Sequence, residues 1–170
     1  MNEPYVSFRV YGTPAPGGSK NAFVPTNKQG QPFRRPNGSI IVNVVDDAGK
    51  RNKAWKGIVA NYSKIAMSRK QIITCACSTE ITFYMHRPNS HFGSKGGVPY
   101  VKPSAPKYPA VKPDTLKLAR STEDAMTGIV YEDDALSVDL ILKKRYCDHT
   151  FPQEGCIITV RLMEDQGTLI

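Results

Sequence analysis

The chain has 170 residues, 40% of them hydrophobic, which is enough to bury one core and hardly two. Its formal net charge of +8 raises affinity for any polyanion. No apolar run reaches the roughly 18 residues of a membrane span, and the opening Met1-Asn2-Glu3-Pro4 lacks the basic-then-apolar layout of a secretion signal. A cytoplasmic protein with no membrane contact is therefore expected.

Residues 5–11 alternate in character and stop at Gly12, the pattern of a half-buried strand. The next stretch, Thr13-Pro14-Ala15-Pro16-Gly17-Gly18-Ser19-Lys20, cannot continue a ladder because its prolines lack the donor, so it forms a loop that presents Lys20. Its spacing is not that of a P-loop. The short β-branched run at residues 39–45 predicts a buried strand, after which Asp46 or Asp47 can cap a helix. In that helix Trp55, Ile58, Val59, Tyr62, Ile65 and Ala66 recur at steps of three and four, making one apolar face.

Residues 72–86 alternate again and predict a long strand, bulged near Ser78 and Thr79. Cys75 and Cys77 would share its core face. With Cys147 and Cys156 they form no C-x-x-C pair, so all four read as thiols, and Cys147, His149 and Cys156 lack the fourth ligand and the spacing of a zinc site. Prolines and glycines crowd residues 87–111, which excludes regular structure over most of the segment and predicts a long loop. A helix from Asp114 to Thr127 should turn Leu118, Thr122, Ala125 and Met126 to the core and stop at Gly128. Two strands, residues 136–146 and 156–163, close the fold, and residues from 165 on read as a frayed tail. The whole, 1–170, is a single α+β domain: a mixed or antiparallel sheet with two main helices packed on it.

The chemistry lies in the distribution of charge. Arg87, Lys95, Lys102, Lys107, Lys112, Lys117 and Arg120 stand against one acidic residue, Asp114, a cluster suited to a phosphate backbone. Asp114 opens a helix, and Glu132-Asp133-Asp134 follows shortly after it, so a shared acidic pocket is geometrically reasonable. Magnesium takes hard oxygen ligands and keeps several waters. Carboxylates inside a basic surround are what a nuclease needs, since cations bind the backbone and the metal activates water. The plainer alternative makes Asp114 a helix cap and Asp133-Asp134 a solvated turn.

These residues also carry a family pattern. Lys112-Pro113-Asp114, then Leu118, Arg120, Asp124-Ala125-Met126-Thr127-Gly128 and Tyr131-Glu132-Asp133-Asp134-Ala135, resemble the RusA pattern K-P-D-x-D-N/K-L, a basic residue, D-A-L-T-G and x-D-D-[SA]-x-V. Gly12-Thr13-Pro14-Ala15-Pro16 with Ser19-Lys20, Arg87-Pro88-Asn89-Ser90-His91-Phe92-Gly93 and Lys143-Lys144-Arg145-Tyr146 extend the likeness, whose Ser-His-Phe-Gly loop looks like phage and prophage forms. The resemblance implies a homodimer that uses Mg²⁺ or Mn²⁺ to make paired nicks across a four-way DNA (Holliday) junction. By the same likeness Asp114, Asp133 and Asp134 are the metal ligands, Asp134 being the better of the last two. Asp124 matches the helix aspartate and Arg120 the basic residue of the site. DNA contacts fall to Lys20, Arg87, Lys112, Lys117, Arg120 and Lys143.

One position departs from the pattern: Leu116 stands where the second aspartate of K-P-D-x-D belongs. Leu116, Arg120 and Glu123 share a helix face, so Glu123 is expected to reach toward the metal in its place. If it does not, the chain is a weakened or inactive binder of branched DNA. A further rival is a single-strand or RNA module stacking bases on Phe92, Tyr100 and Tyr108.

Overall fold

A computed structural model describes residues 3–18, 20–46 and 49–163. Its elements in chain order are β1 (Val6–Tyr11), β2 (Lys20–Phe23), β3 (Asn43–Asp46), α1 (Gly49–Ala66), β4 (Cys77–Met85), β5 (Phe92–Lys95), β6 (Val98–Val101), α2 (Thr115–Met126), β7 (Ser137–Tyr146) and β8 (Gly155–Leu162). One α+β domain results, as expected. The main sheet runs β1-β8-β4-β7, antiparallel except for the β4–β7 pair, so it is mixed. Alternation places Val6 and Val10, Thr79, Ile81 and Phe83, and Cys156, Ile158 and Val160 on one buried face. Both helices cover that face: Trp55 and Val59 of α1 and Leu118, Ala119, Ala125 and Met126 of α2 join the same core. Among the described residues no helix is long and apolar enough to cross a membrane.

α2 ends as the sequence suggests, with Gly128 at φ +74° just beyond it. Other expectations need correction. The β-branched run at residues 39–45 is not a buried strand: only its end belongs to β3, which pairs with β2 alone, and Ile40 and Val42 are exposed. An apolar composition at Ile40 and Val42 mimicked burial. Of the two residues offered as caps, Asp47 and the side chain of Asp46 lie outside the described residues, as does the stretch from 164 that includes the expected tail. Ile65 leaves the apolar stripe of α1 and is 71% exposed, because the stripe is wider than the layer it packs on.

β4 starts only at Cys77, with its register shift between Cys77 and Ser78, so Cys75 precedes the strand and is exposed while Cys77 is buried. All four cysteines are free thiols. The segment 87–111 holds a hairpin where a loop was expected. β5 and β6 flank Gly96-Gly97, whose φ values of +60° and +81° suit the tight two-residue turn that a Gly-Gly pair permits. Pro99 sits in β6 without breaking it, because a two-stranded ribbon has outer edges that need no ladder donor.

Candidate active site

The position of α2 is fixed by polar contacts that the apolar pattern does not reveal. The Trp55 indole Nε1 donates to Thr122 Oγ1 (3.1 Å), and that hydroxyl donates to Leu118 O (2.9 Å). The buried Asn52 amide donates to Pro16 O (2.9 Å) and to Ser121 Oγ, and the Gly17 N–H donates to Lys117 O (2.8 Å). Together they lock the loop after β1, α1 and α2 into one frame. Each such bond contributes about 1 kcal/mol net, but an unpaired partner left behind costs more.

The start of α2 is held from the sheet side. Lys144 Nζ donates to Val111 O (2.6 Å) and Pro113 O (2.9 Å), which anchors Lys112-Pro113-Asp114. Asp114 is the N-cap residue, and its backbone carbonyl accepts from the Leu118 N–H (3.1 Å). Its side chain makes no capping bond, so the carboxylate remains available to the cleft that it lines. That cleft, about 1030 Å³, lies between the loop 13–16, α1 and the start of α2.

A second group of acids gathers toward the other end of α2. Burial pushes the Glu123 carboxyl above its ordinary range; the charges of Asp134 and Asp124 add to the rise, and a hydrogen bond with Ser137 opposes it. The phenol of buried Tyr131 is also pushed up, first by burial and then by Glu123 and Asp134. Glu123 and Asp134 are therefore electrostatic neighbours. Asp133 caps the 3-10 turn Asp134–Leu136, its Oδ1 accepting from the Ala135 N–H (2.9 Å). Asp124 is bound to Lys56 Nζ (2.6 Å), which makes it a tie between the helices.

Along the helix axis Asp114 and Glu123 are separated by about 13 Å, from the rise per residue. Leu116, 73% exposed, and the exposed Arg120 occupy the surface between them. Among the described residues no group of three or more His, Cys, Asp or Glu side chains is placed to hold a metal ion. The acids stand apart toward the two ends of α2, and Leu116 is hydrocarbon where the resembled pattern has a further carboxylate. A pair of carboxylates nevertheless fits magnesium, which is commonly held by one or two of them plus substrate phosphate and water.

The expected DNA contacts divide. Lys112 and Lys117 line the cleft beside Asp114, and the stem of Arg120 passes close to Gly17. Arg87 and Lys143, by contrast, already have protein partners. Arg87 lies 4.1 Å over the Tyr146 ring and donates to Pro106 O (3.0 Å), while Lys143 pairs with Glu80 across the β4–β7 ladder. The side chain of Lys20 lies outside the described residues. Arg51 and Lys144 were missed. Arg51 sits one turn before Ala54 and Trp55 on α1 and faces the cleft, a placement visible only once the stripe is known to border an opening. Lys144 lay within a quoted motif, but only strand register distinguishes its role from that of Lys143. Of the aromatics considered for stacking bases, Tyr100 packs over Gly93, and Tyr108 lies between Arg145 and Lys107, at 5.0 and 5.5 Å.

Residues 23–159 match the family model described as Endodeoxyribonuclease RusA. A Bacillus subtilis (strain 168) protein described as "Uncharacterized protein YqaN" is 29% identical over 150 residues, which cover 84% of this chain and 89% of that one.

Proposed function

The chain belongs to the RusA family of endodeoxyribonucleases, and from that premise we propose that it resolves four-way DNA junctions by divalent-cation-dependent hydrolysis of paired phosphodiesters. The observation that carries this reading is a set of acids along α2 inside a basic surround: an uncapped Asp114 at one end, the Glu123–Asp134 pair toward the other, and Arg120 between them.

Asp134 with Glu123 would hold Mg²⁺ or Mn²⁺ through hard oxygens, Asp133 shapes the turn that presents Asp134, and Asp114 at the helix start stands apart from that pair, on the cleft. When bound, the ion neutralises phosphate charge and activates water for in-line attack. Arg120 offsets charge that builds on the transferring phosphate, an effect worth a few kcal/mol in comparable sites. Lys112 and Lys117 hold the backbone of the DNA arms. Paired nicks on strands related by a two-fold call for a homodimer, whose mass light scattering would give. A DNA substrate of this kind would be met in the cytoplasm.

The deciding experiment incubates the protein with a synthetic four-way junction, with and without Mg²⁺, beside Asp134→Asn. Symmetrical nicks that require both the ion and Asp134 support the reading. The exposed Leu116 favours one alternative, a branched-DNA binder with a weakened metal site, and binding without cutting at saturating Mg²⁺ would establish it instead.

A further inference from the structure

The cleft beside Asp114 is unlike a groove that merely follows a DNA backbone. Phosphates are met by cations and polar donors, yet beside the charged Arg51, Lys112, Lys117 and Asp114 much of this lining is apolar. Ala54, Ile58 and Met85 supply hydrocarbon to it, together with the nearly fully buried Trp55. A phosphate resting there would lose hydration and gain no partner. The lining instead matches a ligand with one flat apolar body and one anionic edge.

Size and rigidity narrow the choice. The volume of about 1030 Å³ is that of a small-ligand site, enough for a nucleotide or two. Trp55 is pinned through its indole nitrogen to Thr122, so this wall is formed before anything enters. Met85, at the end of β4, adds an adaptable thioether. Branch points are where a base leaves its stack at least cost.

We propose that this cleft receives a nucleotide unstacked at the branch point, its base against Ala54, Ile58 and Met85 and its phosphate toward Arg51, Lys112 and Lys117. The inference rests on the junction-nuclease reading and extends it. Docking one extrahelical nucleotide fixes which neighbouring phosphodiester is presented to the acids of α2, so the shape of the cleft sets any preference for the sequence that is cut.

The test uses the full chain in EDTA, where binding proceeds without cutting. Junctions carrying 2-aminopurine at each branch-point position are saturated with protein, and the expected result is a several-fold rise in emission at one position. Ala54→Phe fills the cleft from an exposed helix position and should abolish that rise while the variant still binds the junction and melts like the parent. As a second readout on the unaltered protein, a deoxydinucleotide should quench the emission of Trp55, the single tryptophan.

A bound parent with no rise at any position, or an Ala54→Phe variant with the parent's rise, overturns the inference, and so does an absence of dinucleotide quenching. A parent that raises the emission yet never cuts with Mg²⁺ sinks the nuclease reading and leaves this one standing. One that cuts symmetrically without any rise does the reverse.

Discussion

Glu123 is where the sequence departure and the structure meet. Burial and the charges of Asp134 and Asp124 hold its folded pKa above the ordinary value of 4.5, so the folded chain binds this proton more tightly than the unfolded one. Without divalent ions, stability from this group is greatest when it is protonated. It declines as pH rises from the unfolded to the folded pKa, then stays level. Denaturant titrations across that window should show Glu123→Gln gaining on the parent as pH rises; a constant difference would mean that the carboxyl is not held in this way. The same variant should cut junctions at least roughly ten-fold more slowly, the scale on which metal-site partners act, and cutting at the parent rate would remove Glu123 from the site. Leu116→Asp is the converse experiment. The side chain is exposed, so no core is lost, and a carboxylate in the first turn of α2 is favoured by about 0.5 kcal/mol through the helix dipole. The Mg²⁺ concentration needed for half-maximal cutting should fall, and an unchanged requirement would place position 116 outside the metal's reach.

At the scale of elements, the seam between β1 and β8 shows how little room the sheet leaves. A Cβ added at Gly155 would stand 2.0 Å from Val10 O, a backbone atom that cannot swing aside. Gly155→Ala should therefore cost about 1–3 kcal/mol and lower Tm by roughly 2–12 °C, read by calorimetry; an unshifted Tm would show that β1 moves freely. Sequence periodicity located both helices and the strands β4 and β8, because each buries one face against a second layer, and it located β7, an edge strand on β4 that is largely open to solvent. It failed where that link breaks. Ile40 and Val42 are apolar yet exposed ahead of β3, and β5 and β6 form a ribbon through proline-bearing sequence because an isolated hairpin leaves donors unneeded at its edges. The site was legible in a similar way. The spacing of Leu116, Arg120 and Glu123 along α2 could be read from the chain alone, since helical geometry is local. The cleft, the clamp by Lys144 and the pairing of Lys143 with Glu80 depend on which strands neighbour each other, and the chain's local pattern does not encode that.

For the molecule as a whole, net charge and usable charge are different quantities. The excess of +8 attracts any polyanion, but only cations without competing protein partners can release counterions when DNA binds. Among the described residues Lys112 and Lys117 meet that condition at the cleft, whereas Arg87 latches the 87–111 excursion to Tyr146 and Lys143 neutralises Glu80. Four single alanine variants should accordingly fall into two classes when junction affinity is measured from low to high salt without divalent ions. Lys112→Ala and Lys117→Ala should weaken binding to every junction sequence and each reduce the slope of log affinity against log salt by about 1, with Tm unchanged. Arg87→Ala should keep the slope and lose about 1 kcal/mol of stability, because its cation–π contact and its bond to Pro106 hold the hairpin segment to the sheet. Lys143→Ala should also keep the slope while leaving Glu80, among the described residues, with Arg161, 3.7 Å away, as its partner. Equal slopes for all four variants would mean that the protein binds through its diffuse field alone, and the cleft beside Asp114 would then have no claim to position the DNA.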